Sequence, residues 1–333
     1  MTMRYGLLLI QCVLSLNVIN CHGQKSKYNK LEIFLKDSCQ TSSLMVLKKG
    51  EPIYEYGDTK EVSYLASCRK SVLALLYGPF VENGTINLNE NLQDLGMDDK
   101  GGLLDIEKEA TINNILQSRS GVYHKAANSG DATDKAPQRG TVKPGSLWLY
   151  NNWDFNIAGA ILEKKTGKNI YVLMDSQLAK PLGFEDWSIS NQRKFDDSKE
   201  SLYPAYHMFL STCDMAKIGQ LMMQKGKWNG DQIISKKWIE KITSIITSNA
   251  EAQKTGLAWY DFAYGYYWWI WDKPFKNKSF KWAYTASGAF GQFITVIPRL
   301  NLVIAHKTVY PSNRNTTPEQ YFKILDKILK VEK

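Results

Sequence analysis

The chain has 333 residues, 44% hydrophobic and 23% charged, a balance that fits a folded globular protein and excludes a disordered, collagen-like or disulfide-dense one. Its net charge of +9 comes from lysines scattered along the whole length, so no basic arm or helix points to a nucleic-acid partner. A chain of this size buries a sizeable core as one large domain or as two subdomains.

The first element in chain order is an export signal. Arg4 supplies a short basic start, GLLLIQCVLSLNVIN follows as an apolar run, and Cys21 and Gly23 sit at −3 and −1 of a cut before Gln24. A membrane span needs roughly 20 apolar residues; Gln11 and Asn17 interrupt this run, and no later segment is long enough. The expectation is a signal peptide over 1–23 and an exported protein, periplasmic or secreted. Lipidation at Cys21 is the alternative, poorly served by Asn20 before it. Past the signal only Cys39, Cys68 and Cys213 remain, too few and odd in number for a disulfide framework. His124, His207 and His306 stand apart without metal-ligand spacing, so neither a metal site nor a cofactor is expected.

YNKLEIFLKDS reads as a short helix, and SLMVLKKGEPIYEYG as a hairpin turning at Lys-Lys-Gly-Glu. From Ser67 the pattern is helical, with Val72, Leu73 and Leu76 on one face and Pro79 ending or kinking it a turn later. From about 80 to 215 the chain reads as loops and helices without a convincing run of strands. ATINNILQSRSG is a capped helix closed by Gly121, and NWDFNIAGAILEKKTG a helix ending on Gly167, with Trp153, Ile157 and Ile161 as a core stripe. STCDMAKIGQLMMQKGKW and SKKWIEKITSII are amphipathic helices. YGYYWWIW and FGQFITVIPRLNLVIAHKTV are strands, the latter two turning at Pro298 to Asn301, and the final helix is capped by Thr317. The fold class is therefore α+β: one antiparallel sheet flanked by helices, plus an all-helical lobe. Residues 24–333 are expected to form a single catalytic domain, with an α/β part at about 24–66 and 216–333 and a helical part at about 67–215.

Three short motifs carry chemistry. Ser67-Cys68-Arg69-Lys70 is the single Ser-x-x-Lys of the chain. Residues i and i+3 share a helix face, so Lys70 points toward the Ser67 side. An uncharged lysine can take the serine proton, and the first helical turn, with its unsatisfied N–H groups, favours that form. Tyr150 and Asn152 in WLYNNWDF form the one Tyr-x-Asn, a phenol to pass a proton on and an amide to orient substrate or lysine. In YTASGAFGQFITVIP, Gly288 lets a substrate approach the backbone, and the Ala289 N–H can join that of Ser67 on a developing oxyanion, with Ser287 beside them. A glycine-rich hairpin or bulge explains this last stretch equally well on local evidence.

In this order and spacing the motifs resemble those of the penicillin-recognising serine hydrolases, most closely the class C β-lactamase branch with its related esterases and the 6-aminohexanoate-dimer hydrolase type of amidase. LQSRSGVY, GAILEKKTG, KPLGF, STCDMAKIGQLMM and IPRLNLVI are similar to that family's connecting segments, so the likeness runs from about 40 to 330. It implies a β-lactamase/transpeptidase-like fold and an acyl-enzyme at Ser67. Lys70 becomes the base, Tyr150 the proton relay, Asn152 a contact to the substrate amide or the lysine, and the Ser67 and Ala289 N–H groups the oxyanion hole. The expected partner is a small-molecule or peptide-like substrate; nothing in the chain speaks to oligomeric state.

One departure stands out. The family usually carries a cationic residue where this chain has Ala286, and that cation helps hold an antibiotic's carboxylate. Arg299 and Lys281 are the nearest cations along the chain. Ala286 puts β-lactam turnover in doubt and keeps open a second reading, a binding or sensor protein that acylates slowly or not at all. A Ser-His-Asp hydrolase fits less well, because there is no Gly-x-Ser-x-Gly.

Overall fold

The hairpin expected near the start of the fold forms as β1 (Ser43–Lys48) and β2 (Glu51–Gly57). Lys49 and Gly50 make its turn with φ of 54° and 88°, the left-handed pair that matches strand twist in a two-residue loop. The structure, a computed structural model, describes residues 27–128, 133–195, 199–255, 261–272, 277–310 and 313–332; the expected signal peptide lies outside these.

Five later strands complete an antiparallel sheet: β3 (Phe262–Tyr264), β4 (Trp269–Trp271), β5 (Tyr284–Gly288), β6 (Gln292–Ile297) and β7 (Leu302–Lys307). The spatial order is β2-β1-β7-β6-β5-β4-β3, so the N-terminal hairpin joins the C-terminal strands through β1 and β7. Helices α1 (Asn29–Ser38) and α5 (Pro318–Glu332) cover one face, where Tyr321 stacks on Phe293 at 3.9 Å. Thr317 and Gln320 cap α5 reciprocally. Helix α4 (Thr212–Met223) covers the other face. Gly219 allows its close approach, since a Cβ there would lie 2.4 Å from Val303 Cγ1.

The helical lobe is built on α2 (Cys68–Glu82) and α3 (Asn152–Thr166). Every residue of α2 from Cys68 to Gly78 is buried, so this helix is the spine of the molecule and has no solvent stripe. Pro79 falls in its last turn, and the helix ends three residues on at Glu82, where the Asn83 N–H bonds the Pro79 carbonyl at 3.1 Å. α3 ends on Gly167 at φ 65°, as its sequence requires, and Trp153, Ile157 and Ile161 are fully buried.

Two expectations need correction. The helix in ATINNILQSRSG is only Ile112–Leu116; Ser118 turns into the left-handed region at φ 57°, well before Gly121. The stretch from 80 to 215 also holds strands: Arg193–Phe195 pairs with Ala205–His207, and Phe209–Leu210 pairs with Ser63–Tyr64 just ahead of α2. Runs of two or three residues are too short to show an alternation in sequence; their partners, far along the chain, create them.

Candidate active site

Ser67 is the N-cap residue of α2 and is half-buried. Ala66 before it sits at φ 49°, a left-handed conformation that a residue with a Cβ adopts at a cost and that turns the chain sharply into the helix. The Lys70 N–H bonds the Ser67 carbonyl at 3.0 Å, which sets the two residues one tight turn apart.

The Lys70 side chain is 2% exposed and runs among aromatic rings. Its Nζ lies 3.9 Å from the centroid of Phe155 and 4.2 Å from that of Tyr150. It donates to the Tyr150 hydroxyl at 2.8 Å and to Asn152 Oδ1 at 2.8 Å. Two side chains some 80 residues away in sequence thus meet the lysine amine together. What brings them there is the helix cap between them. Asn151 accepts from the Trp153 N–H at 3.0 Å to start α3 and donates to the Val122 carbonyl at 2.6 Å, so Tyr150 and Asn152 flank a fixed corner. The Tyr150 ring stacks on Trp269 at 5.7 Å and meets Phe155 and the edge of Tyr264, which leaves it little rotational freedom. Two rings of the YGYYWWIW cluster therefore hold the phenol in place.

The third motif arrives through the sheet. Pairing of β4 with β5 covers Tyr284 and Thr285 and stops, so Ala286 to Gly288 run on beyond it. A Cβ built on Gly288 would stand 3.0 Å from the Ser67 nitrogen and 2.7 Å from the Leu65 carbonyl, so this strand passes directly over the Ser67 turn and only glycine fits. Ala286 shares that face of β5, and Ser287, also buried, is turned to the other. Ala289 follows, exposed, in the turn to β6. The structure brings Ser67, Lys70, Tyr150, Asn152 and Gly288 into one locale.

The nearby cations do not replace the one missing at Ala286. Arg299 lies beyond the far end of β6 and donates to the Lys278 carbonyl at 3.3 Å. Lys281 lies over the exposed Trp282 ring at 4.6 Å. The three histidines among the described residues each have partners of their own. His124 contacts the Lys100 and Lys125 carbonyls at 2.8 Å each. Nδ1 of His306 donates to the Gly291 carbonyl at 2.7 Å and its Nε2 meets the Thr41 hydroxyl at 2.9 Å; burial pushes this imidazole down to about 4. Burial and the Arg69 and Arg193 charges bring His207 to about 4 as well. Cys68 is buried, its thiol pushed well up by burial and donating to the Gln292 carbonyl at 3.1 Å. Among the described residues no group of three or more His, Cys, Asp or Glu is placed to hold a metal ion.

Sequence reasoning missed three supports. Phe155 lies beneath Lys70, Asn151 caps α3, and Lys307, wholly buried, donates to the Ser63 carbonyl at 2.9 Å and to the Leu210 carbonyl, tying down the ribbon that leads to Ser67. The cap had a signal, an asparagine one residue ahead of a helical run. The other two had none, since each looks like an ordinary core or strand residue.

Residues 34–329 match the family model described as Beta-lactamase. An uncharacterized protein of Alkalihalophilus pseudofirmus is 23% identical over 264 residues, 72% of this chain and 71% of that protein. Among solved structures, an inferred 6-aminohexanoate-dimer hydrolase from Bacillus anthracis superposes with a TM-score of 0.62 at 19% identity, covering 91% of this chain and 81% of that one. A penicillin-binding protein homologue from Caulobacter crescentus gives 0.68 at 13% identity, covering 92% and 97%. At these identities the superpositions speak for the fold.

Proposed function

The chain belongs to the beta-lactamase family, whose members are generally serine hydrolases, and on that premise we propose that it cleaves an amide or ester through an acyl-enzyme at Ser67. The observation that carries this reading is the Lys70 amine within 2.8 Å of both the Tyr150 hydroxyl and Asn152 Oδ1, one helical turn from Ser67.

In the proposed reaction an uncharged Lys70 takes the Ser67 proton as the serine oxygen attacks the substrate carbonyl carbon. The oxyanion that forms is held by the N–H groups of Ser67 and Ala289. Tyr150, hydrogen-bonded to the lysine, passes the proton to the leaving nitrogen or oxygen as the carbonyl–heteroatom bond breaks. A water then repeats the sequence on the acyl-enzyme and frees Ser67. Asn152 steadies the lysine and offers its amide to substrate. Gly288 leaves room for the substrate beside the strand.

Ala286 offers no charge for a carboxylate, so neutral esters and linear amides are the preferred substrate class over β-lactams. The same residue supports the second reading, a receptor that acylates and does not turn over. Residues 24–333 act here as one catalytic unit of an exported protein, its leader 1–23 removed; the N-terminal mass of the mature protein tests that. The decisive experiment treats purified protein with a fluorophosphonate and reads the intact mass. One adduct, lost in Ser67→Ala, is expected. No adduct on folded protein, or one that survives the substitution, overturns the proposal. Burst kinetics without turnover on p-nitrophenyl esters and nitrocefin would assign the protein to the receptor reading.

A further inference from the structure

A strip of aromatic rings starts at the nucleophile turn and runs outward over the surface. Tyr64, three residues before Ser67, lies 4.7 Å from His207, 5.6 Å from Phe209 and 5.8 Å from Tyr310, centroid to centroid. Phe195 stacks on His207 at 5.7 Å with the planes only 4° apart, and Phe290, two residues past Gly288, stacks on Tyr310 at 4.4 Å. Arg193 covers the Phe209 ring at 4.2 Å.

These rings come from five separate segments, and none is fully buried. Phe195, Phe290 and Tyr310 are 49, 37 and 39% exposed. A continuous exposed apolar surface of this kind marks a ligand site, and rigid stacked rings lose little freedom when a flat group lies against them. Phe290 is held at φ 67°, a backbone strain in a residue with no side-chain amide to relieve it, which keeps its ring on this strip.

Along β5, Tyr150 packs on Trp269 at the level of Thr285, the strand crosses Ser67 at Gly288, and Phe290 follows two residues later in the turn to β6, so the order along the strand sets Tyr150 on one side of Ser67 and the strip on the other. The group that receives its proton from Tyr150 is the leaving group, so the acyl part of the substrate points toward Phe290, Tyr310 and Tyr64. We propose that these rings form the acyl pocket and that the enzyme selects esters or amides with an apolar, aryl-bearing acyl group. The inference rests on the reading of Ser67 as nucleophile.

The test holds the leaving group constant. p-Nitrophenyl acetate and p-nitrophenyl phenylacetate are compared on the full-length protein, after correction for spontaneous hydrolysis. The kcat/KM ratio of phenylacetate to acetate is expected to be tenfold or more in the wild type and to fall at least fivefold in Phe290→Ala and in Tyr310→Ala, the scale that one lost apolar contact surface produces. Phe195→Ala, at the exposed end of a surface ribbon, serves if either variant is poorly folded, with a fall of at least twofold. A wild-type ratio near one, or a ratio that none of the three substitutions changes, overturns the acyl pocket. A wild type labelled by fluorophosphonate at Ser67 yet showing a flat ratio rejects the pocket alone, whereas absence of the label rejects the nucleophile and the pocket with it.

Discussion

Lys70 and Lys307 are both removed from water, at 2% and 0% exposure, and both serve the segment that carries Ser67. Lys70 donates to side chains, a phenol and an amide, each able to exchange or reorient. Behind it Lys307 donates to main-chain carbonyls of Ser63 and Leu210, which can only accept. Burial pushes the Lys307 amine down to about 7, only partly opposed by Cys68, Glu61 and Asp214. The two buried lysines differ in the chemistry of their acceptors: one meets a phenol and an amide, the other only main-chain carbonyls that fasten a ribbon.

The largest effect expected is at Lys70. Lys70→Ala should lower kcat/KM for a p-nitrophenyl ester by more than about 10²-fold, the lower end for a general base. Lys70→Arg should not restore it, because a guanidinium does not give up its proton in a protein. Steady-state kinetics on variants with unchanged circular dichroism reads this out. If Lys307→Met loses as much activity with its stability intact, the division of labour fails.

Lys307 should reveal itself in stability. The unfolded chain keeps this lysine protonated up to its ordinary value of 10.5, while the folded chain gives up the proton at about 7. Between those values the unfolded state binds more protons, so this group's contribution to stability rises with pH, by up to about 1.4 kcal/mol per unit, and is lost again as pH falls toward 7. Urea unfolding from pH 7 to 9.5 should show a shallower rise in Lys307→Met than in the wild type. Equal slopes would mean that the amine stays charged against its two carbonyls.

The smallest effect concerns the corner between Tyr150 and Asn152. Asn151→Ala removes a cap and leaves the Val122 carbonyl without its side-chain donor, for a loss of about 1–2 kcal/mol. Because that corner aims both partners of Lys70, kcat should fall as well, by several-fold, while KM changes less. A stability loss with kcat untouched would make Asn151 a cap and nothing more.

Much of the site was legible because its chemistry is local. Ser67 and Lys70 lie on one turn, Tyr150 and Asn152 on either side of one cap, and Ser287 to Ala289 at one strand end, so each motif is readable from spacing. The hairpin turn, the Gly167 stop and the Thr317 cap were legible for the same reason. Illegible were the features that depend on a distant partner: the Ser63–Tyr64 ribbon made by Phe209–Leu210, the early end of the helix at Leu116, and the ring strip assembled from five segments.

By itself the sequence determined the α+β class, the central helix with its serine and lysine, and the absence of a cation at position 286, since residue identity and short-range periodicity are written directly in the chain. Only the tertiary structure decided that the Lys70 amine meets Tyr150 and Asn152, that β5 crosses over Ser67 at a glycine, and that Lys307 ties the ribbon. Those contacts join residues dozens to hundreds of positions apart, and only the packing of sheet against helices selects which distant groups come within hydrogen-bond range.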